Sequence, residues 1–313
     1  MGRRQLKRHR QVVDRLVQDG HRVRVLDNFS TGRRENLAHL EGHPAMEVAD
    51  GDVCDWEYVS RAMAGVEYVL HQAAIPSVPR SVQDPRSSHR ANAEGTLNVL
   101  MAAKDAGTIR VVFASSSSVY GDVNHPRAQS RPKKEDLPSR PMSPYAGTKL
   151  AGEGYCLAFH GSYGLETVVL RYFNVFGPRQ DPASQYASVV PLFAQALRGG
   201  TRPVIYGDGR QTRDFTYVEN VVDANIRACF AEDVAGRVFN VACGASVSVL
   251  QLLRTVAKML GVKADPEFLP PRPGDVRHSR ADIRLAGEKL GYQVLVGFED
   301  GIRMTLQAFL ADQ

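Results

Sequence analysis

Hydrophobic and polar positions alternate along the first 170 residues in the pattern of short strands separated by amphipathic helices. Residues 12–19 have the spacing of a helix that ends at Gly20, and residues 22–27 alternate as a strand before a turn-rich segment. Further segments are predicted as strands at 47–49, 68–71, 111–114 and 167–171, and as helices at 92–106 and 145–159. Strands that alternate with helices in this way predict a parallel, doubly wound α/β sheet.

The pattern changes at about residue 174, where it becomes less regular and richer in proline and glycine. Helices are predicted beyond this point near residues 190–197, 249–260 and 301–310. We therefore expect a smaller second lobe. The expected division places residues 1–173 and a returning segment of about 214–240 in the sheet domain, and residues 174–213 and 241–313 in the second lobe.

Charge and composition restrict the possible classes of function. The chain carries 39 basic and 34 acidic residues, but five of the basic residues lie within the first ten positions, so the remainder is neutral overall. A nucleic-acid-binding protein carries its basic residues on the folded surface, so no nucleic-acid partner is expected. No apolar run reaches the length of about 18 residues that a spanning helix needs, so no membrane partner is expected either.

The cysteines also restrict the possibilities. Cys54, Cys156, Cys229 and Cys243 lie far apart, and their spacing is not that of metal ligands. We therefore expect no metal site. Free thiols are the expected state, which places the protein in a reducing cytoplasm.

The first candidate chemistry is a tyrosine–lysine pair in a predicted helix. Tyr145 and Lys149 are four residues apart, so they share one face of that helix. A nearby ammonium favours the phenolate and lowers the pKa of a tyrosine from about 10, which would make Tyr145 a general base. The spacing alone is weak support, because a chain with 11 tyrosines can show it by chance.

Serines at the end of a predicted strand strengthen this interpretation. Residues 115–118 are four serines that directly follow the apolar segment 111–114, and ligands of open parallel sheets bind at the carboxyl ends of the strands. A serine there can bridge a substrate hydroxyl and a phenolate, and Ser116 lies 29 residues before Tyr145. Taken alone, the run could also be an ordinary surface loop.

An acidic residue ends the strand predicted at residues 22–27. Asp27 can accept hydrogen bonds from the ribose of an adenosine, and its charge disfavours a 2′-phosphate at that ribose. This position favours NAD over NADP as the cofactor. An acidic turn residue without a ligand is the alternative explanation.

These motifs resemble those of the extended short-chain dehydrogenase/reductase family, and within it the UDP-sugar 4-epimerases, closest to the UDP-N-acetylglucosamine 4-epimerase subgroup. The resemblance runs from about residue 12 to the C-terminus and rests on segments 26–32, 71–74, 77–81, 92–96, 115–118, 145–149, 171–177, 213–215 and 272–279. It implies a Rossmann-type NAD-binding sheet domain followed by a UDP-sugar-binding lobe. It also implies a homodimer that packs the helices near 92–106 and 145–159 into a four-helix bundle.

The resemblance implies a role for each matching residue of the catalytic and cofactor sites. Tyr145 would be the general base, Lys149 would lower its pKa and hold the nicotinamide ribose, and Ser116 would contact the sugar hydroxyl. The implied NAD-binding residues, in addition to Tyr145 and Lys149, are Asp27, Asn28, Ser30, Gly32, Asp52, Val53, Ala73, Ala74, Asn92 and Tyr172.

The resemblance also implies a substrate site. Asn174, Arg213 and Arg272 would hold the UDP diphosphate, which suits guanidinium groups, and Tyr206 would stack on the uracil. Ser279 would face C2 of the hexose, where its small side chain leaves room for an N-acetyl group without excluding smaller sugars. The remaining implied substrate-binding residues are Ser77, Ser116, Ser118, Ser188, Val189 and Asp275.

The implied activity is NAD-dependent inversion of a UDP-hexose at C4 through a transient 4-keto sugar, with UDP-GlcNAc and UDP-GalNAc, and also UDP-Glc and UDP-Gal, as substrates. Nucleotide-sugar 4,6-dehydratases are less similar, because they carry an Asp-Glu pair where this chain has Ser117 and Ser118. UDP-glucuronate decarboxylases typically carry a glutamate at the position of Ser118. A UDP-glucuronate 4-epimerase, or another NAD-dependent nucleotide-sugar epimerase or dehydratase, remains an open alternative.

The N-terminus departs from the family pattern. A strand and a glycine-rich turn are expected about 20 residues before Asp27. The one glycine among residues 1–10 is Gly2, however, and five of these ten residues are Lys or Arg. The first strand and the pyrophosphate loop are therefore expected to be missing or altered, as a shifted reading frame or a misplaced start would cause. Weak NAD binding is expected as a result. An inactive fragment, or a protein that only binds sugar nucleotides, is the alternative from another class.

Overall fold

The computed structural model describes residues 11–122, 131–178, 180, 189–271 and 276–311. The helices are α1 (Gln11–Gln18), α2 (Trp56–Ala62), α3 (Val78–Gln83), α4 (Pro85–His89), α5 (Gly95–Asp105), α6 (Pro144–Tyr163), α7 (Val189–Arg198), α8 (Val218–Phe230), α9 (Val249–Leu260), α10 (Arg284–Leu290) and α11 (Phe298–Ala311). The strands are β1 (Val23–Asp27), β2 (Met46–Asp50), β3 (Tyr68–His71), β4 (Arg110–Ser116), β5 (Glu166–Tyr172), β6 (Val175–Phe176), β7 (Val204–Tyr206), β8 (Thr212–Arg213), β9 (Thr216–Tyr217), β10 (Arg237–Val241), β11 (Val247–Ser248) and β12 (Glu267–Leu269).

The main sheet is parallel, as the alternating pattern predicts. Four of its strands pair in the order β10, β5, β4, β3, and β1 pairs with β2 in a separate parallel ladder. The predicted strands and helices are all found, with bounds that differ from the predicted ones by no more than four residues; the start of the helix predicted at 92–106 is a π-helical turn, and α5 begins at Gly95. Because β10 lies late in the chain and still joins this sheet, the chain returns to the sheet domain after it enters the second lobe. The exact domain boundaries stay a prediction.

The central strands are buried on both faces, which explains their uninterrupted apolar sequences. Val111 and Phe113 of β4 pack on one face with α5 and α6. Val112 between them packs on the other face with α8 and α10. Alternate side chains of a strand point to opposite faces of a sheet, so one apolar run forms the core of both layers.

The second lobe has a core of its own. Helices α7, α9 and α11 pack around Phe176 and Tyr217, both of which are almost fully buried. The short pairs β6–β9, β8–β11 and β7–β12 surround this core. They carry the chain past the carboxyl ends of the main sheet, where β6 directly follows β5. The two lobes therefore meet at the edge of the sheet where a ligand is expected.

The two ladders of the sheet are separated beside α8. His21 stacks on Phe230 with ring centroids 5.6 Å apart, and Tyr68 meets the same ring edge-on at 5.1 Å. The beginnings of β1 and β3 therefore both lie next to Phe230, and no strand of the described residues pairs with both. The expected loss of a first strand concerns residues 1–10, which lie outside the described residues.

Two further properties of the described chain bear on function. Among the residues that the structure describes, no helix is long and apolar enough to cross a membrane. Within the same part of the chain, no group of three His, Cys, Asp or Glu side chains could hold a metal ion. The four cysteines are free thiols.

Candidate active site

Helix α6 carries the predicted tyrosine and lysine. It begins after Ser143, whose side chain accepts a hydrogen bond from Ala146 N at 3.2 Å, and Pro144 stands in its first turn. It ends at Gly164, which adopts the left-handed conformation with φ of 71°. This start places Tyr145 in the first turn of α6, at the carboxyl edge of the main sheet.

Ser116 and Tyr145 meet at this edge. Ser116 is the last residue of β4, and its side chain lies near enough to the Tyr145 phenol to act on the pKa of that phenol. Its Oγ also accepts hydrogen bonds from the backbone N–H of Ser118 at 3.2 Å and from the Ser118 hydroxyl at 2.9 Å. The predicted pairing of a strand-end serine with the helix tyrosine is therefore present in the geometry.

The pKa of Tyr145 differs from the expectation. Burial raises the pKa of this phenol, and the nearby Ser116 hydroxyl offsets only part of that effect. The Lys149 Nζ donates to the carbonyl oxygen of Ala114 at 2.7 Å, and its effect on the pKa of Tyr145 stays a prediction. The chain by itself therefore does not hold Tyr145 as a phenolate, and further positive charge is needed in the site.

Lys149 is enclosed beneath the site. Its side chain is 3 % exposed, and burial lowers the pKa of its ammonium to about 8, although the nearby Cys156 and Glu153 act in the opposite direction. The ammonium also lies 5.0 Å from the centroid of the Phe113 ring. Lys149 is thus a buried cation one helical turn below Tyr145.

A second group of predicted residues lies at the ends of β1 and β2. Asp27 accepts a hydrogen bond from Phe29 N at 2.8 Å, and Phe29 adopts a left-handed turn with φ of 50°. Asn28 donates to the Asp52 carboxylate at 3.1 Å. Burial acts to raise the pKa of Asp52, but hydrogen bonds from Cys54 and Asn28 outweigh it, so the pKa is lowered.

A cavity of about 280 Å³ lies in the second lobe beside the edge of the main sheet. Four of the predicted substrate-binding residues line it: Asn174, Val189, Tyr206 and Arg213. Phe176, Gln211 and Phe215 line it as well and were not predicted individually, although Phe176 and Phe215 lie in the motif segments 171–177 and 213–215. Aromatic walls with a few polar groups suit a nucleotide base and its phosphates.

Of the other predicted substrate-binding residues, Ser279 lies near the cavity, Ser77 lies at the start of a helix, and three lie outside the described residues. Ser279 is buried at 6 % exposure, and its N–H donates to the Thr212 carbonyl at 3.1 Å, which places it next to Arg213. Ser77 caps α3 by accepting a hydrogen bond from Arg80 N. Ser188, Arg272 and Asp275 lie outside the described residues.

Comparison with known proteins decides the classification. A family model described as the NAD dependent epimerase/dehydratase family matches residues 10–242. The chain belongs to this family. The resemblance to the extended short-chain dehydrogenases/reductases is thereby confirmed, and so are NAD as the family cofactor and the parallel α/β fold.

Individual members of the family are similar over nearly the whole chain. The UDP-glucose 4-epimerase of Mycolicibacterium smegmatis is 42 % identical over 300 residues, which cover 95 % of this chain and 94 % of the relative. The UDP-N-acetylglucosamine 4-epimerase of Methanobrevibacter ruminantium, solved with UDP-N-acetylmuramic acid, is 39 % identical with a TM-score of 0.89, covering 96 % of this chain and 94 % of that one. The Thermus thermophilus UDP-glucose 4-epimerase, solved with NAD, is 36 % identical with a TM-score of 0.86 over the same shares.

The residues of this family member fit the adenosine end of NAD. A Cβ at Gly32 would lie 2.9 Å from Asp27 Oδ2, so any larger residue would push against the carboxylate that would hold the ribose. Ser30 N donates to Asn28 Oδ1 and keeps this turn compact, and Val53 forms a buried apolar surface next to Asp52. The compact turn at residues 27–32 and the polar side chains of Asp27, Asn28 and Asp52 therefore fit an adenosine, and their role in binding NAD stays a prediction.

The middle of the predicted NAD site is held by Asn92. It lies in a π-helical turn at residues 90–94 and is fully buried. Its Oδ1 accepts from Ile75 N at 2.7 Å, and its Nδ2 donates to Thr148 Oγ1 at 3.1 Å, which ties the loop of Ala73 and Ala74 to α6. Tyr172 forms hydrogen bonds with Gln72 and Asn225 through its hydroxyl, so that hydroxyl is already engaged.

Proposed function

We propose that the protein interconverts the C4 epimers of UDP-hexoses and uses bound NAD for this reaction. The nearness of Ser116 to Tyr145 at the carboxyl edge of the sheet carries the proposal, because it brings a proton acceptor next to a hydroxyl partner for the substrate. The nearby cavity, lined by Tyr206, Asn174 and Arg213, supports a uridine diphosphate group as the handle of the substrate.

In the proposed mechanism Tyr145 takes the proton from the 4-hydroxyl of the hexose, and Ser116 hydrogen-bonds the same hydroxyl. NAD, when bound, supplies the acceptor for the C4 hydride and a positive charge next to the phenol. Lys149 adds its buried charge from below and would hold the nicotinamide ribose. Arg213 and Asn174 retain the diphosphate while the 4-keto sugar turns, so the opposite face of C4 is presented for reduction.

Acetylated sugars are proposed as substrates because of Ser279. Its side chain is small and buried next to the strand that carries Arg213. A small residue leaves room for an N-acetyl group at C2, and it does not exclude UDP-Glc or UDP-Gal. We therefore propose both pairs of sugars as substrates.

A UDP-glucuronate 4-epimerase is the second candidate, because the same three catalytic side chains would serve it. Dehydration and decarboxylation are less well supported, since Ser117 and Ser118 occupy the positions of the carboxylates that those enzymes use, and the Ser118 hydroxyl is bound to Ser116. Incubation with UDP-GlcNAc, UDP-Glc and UDP-glucuronate separately, followed by NMR of the products, distinguishes these cases. Epimers of the first two sugars support the proposal, and epimerisation of UDP-glucuronate alone favours the second candidate.

NAD is expected to bind weakly to this chain. Residues 1–10 lack the glycines that let a backbone approach a pyrophosphate, and the edges of β1 and β3 are not joined by any strand of the described residues. NAD released by denaturing the purified protein should therefore be well below one molecule per chain. One NAD per chain would contradict this prediction. If added NAD also failed to bind, the result would favour the alternative that this protein binds UDP sugars without converting them.

We also propose a homodimer through α5 and α6. Met101 of α5 is 36 % exposed, and Leu157 and Tyr163 of α6 are 41 % and 61 % exposed, so these helices carry apolar side chains on their outer faces. Leu157→Glu is expected to convert the dimer to a monomer in light scattering, because it would bury a charge in the bundle. Leu310→Glu changes a similarly exposed residue of α11 and should leave the mass unchanged. A dimeric Leu157→Glu variant would contradict the proposed interface.

A further inference from the structure

A buried ion pair lies behind the proposed catalytic residues. Glu153 of α6 and Arg171 of β5 are 2 % and 5 % exposed. The Arg171 Nε donates to Glu153 Oε1 at 2.9 Å, and its Nη2 donates to Oε2 at 2.7 Å, so the contact is bidentate. The proposed mechanism does not use either side chain. Because two charges are costly to bury, the other contacts of this pair indicate what it does.

The pair connects α6 and β4, which carry the proposed catalytic residues, to the neighbouring strand β5. Glu153 lies one helical turn after Lys149 and two turns after Tyr145 on α6. The Ser115 hydroxyl of β4, the residue before Ser116, donates to Glu153 as well. Ser115 is also the register partner of Arg171 in the β4–β5 ladder. One carboxylate therefore joins α6 to the ends of both strands beneath the site.

Arg171 is fixed from its other side. Its Nη1 donates to the carbonyl oxygen of Glu135 at 3.3 Å, and its guanidinium lies 4.6 Å from the centroid of the Tyr120 ring. Burial acts against the charge of Arg171, but the hydrogen bonds and the charge of Glu153 outweigh it, so the pKa is raised. Arg171 is therefore a permanent cation whose charge is paired with the Glu153 carboxylate.

Glu153 also acts on Lys149. The titratable and charged groups around this ammonium within the described residues are Glu153 and Cys156 of α6 and His71 of β3, with Arg171 of β5 behind Glu153 and the Tyr145 phenol one helical turn away on α6. Burial and the charge of Lys149 lower the pKa of His71 to about 3, and burial raises the pKa of Cys156 to about 12, so both are neutral near pH 7. The carboxylate of Glu153 is the anion of this group, and two cations compete for it.

We propose that Glu153 and Arg171 are positioning residues that set the charge of Lys149: Glu153 keeps the buried lysine protonated, and Arg171 limits how strongly it does so. This inference rests on the proposed function for its role in the reaction, because the charge of Lys149 matters there for the proton held by Tyr145. The effect of Glu153 and Arg171 on the charge of Lys149 is a property of the chain, and it can be measured without turnover.

The test is the titration of Lys149 by NMR in protein containing ¹³C-labelled lysine, with the signal assigned from its absence in Lys149→Met. Glu153→Gln leaves Arg171 as an unpaired cation and is expected to lower the pKa of Lys149 by about 1 to 3. Arg171→Met releases Glu153 to pair with Lys149 and is expected to raise the pKa. Opposite shifts are the required result, because a purely structural pair would disturb the site in the same way from either side.

Further variants keep the test decisive if a single variant does not fold. Glu153→Gln combined with Arg171→Met removes both buried charges, and such paired replacements are often tolerated. This double variant should lower the pKa of Lys149 by less than Glu153→Gln would. Ser115→Ala removes a hydrogen bond without changing charge and should leave the pKa unchanged. An unchanged or raised pKa in Glu153→Gln or in the double variant would overturn the inference.

The activity of the same variants separates this inference from the proposed function. If the protein epimerises UDP sugars, the alkaline limb of kcat against pH should move to lower pH in Glu153→Gln and to higher pH in Arg171→Met. If no variant and no wild-type protein epimerises any sugar while the NMR shifts are still opposite, the charge balance stands and the proposed function fails. If activity is present but the pH limbs do not move, the positioning role fails and the epimerase remains.

Discussion

Replacing Tyr145 with phenylalanine is expected to lower kcat for UDP-hexose epimerisation by about 10²- to 10⁴-fold, because it removes the group that accepts the substrate proton. The ring and its place in the first turn of α6 are kept, so UDP binding and the melting temperature should change little. The rate is measured with saturating NAD added, so that weak cofactor binding does not limit it.

Tyr163→Phe is the matched control for this variant. Tyr163 is the last residue of the same helix, and it is 61 % exposed, far from the Ser116 hydroxyl in sequence and in structure. It should retain wild-type kcat. If Tyr145→Phe also kept full activity, Tyr145 would not be the base, and the nearness of Ser116 to Tyr145 would not carry the proposed function.

Ser279→Tyr is expected to change the substrate range and not the chemistry. A phenol at this buried position would occupy the space proposed for the N-acetyl group, and overpacking of this kind costs about 1–3 kcal/mol, or about 5- to 150-fold in kcat/KM. UDP-GlcNAc and UDP-GalNAc should lose activity by this factor. UDP-Glc and UDP-Gal should be turned over at rates close to those of the wild type.

Ser279→Ala serves as the control, because it keeps the space open and removes only the hydroxyl. Its ratio of kcat/KM for acetylated and unacetylated sugars should equal that of the wild type. Equal losses for both classes of sugar in Ser279→Tyr would contradict the proposed position of Ser279 and would indicate a general disturbance of the strand next to Arg213.

The sequence predicts the layers of this fold well, because its signals are local. The apolar residues 111–114 and 168–170 of two predicted strands are buried on both faces of the sheet, as continuous apolar runs predict. The position of Ser116 followed from the rule that ligands meet the carboxyl ends of parallel strands. The spacing of Tyr145 and Lys149 followed from the helical repeat.

Contacts between distant segments could not be predicted in the same way. The pairing of Glu153 with Arg171 depends on the register of β4 and β5 and on the packing of α6, and no short motif encodes those. The pKa of Tyr145 depends on how deeply the ring is buried and on whether Lys149 faces it or the Ala114 carbonyl. Gln211 lines the cavity only because the loop after β7 folds back, which its two glycines with positive φ permit.

The most direct test of the proposed reaction follows the hydrogen at C4. UDP-N-acetylglucosamine deuterated at C4 is incubated in ordinary water with the purified protein and saturating NAD, and the UDP-N-acetylgalactosamine formed is analysed by NMR and mass spectrometry. The proposed mechanism predicts that the deuterium is retained at C4 of the product, because the hydride that leaves C4 returns to it. A product that carries hydrogen from water at C4, or no epimer of any UDP-hexose, would contradict the account.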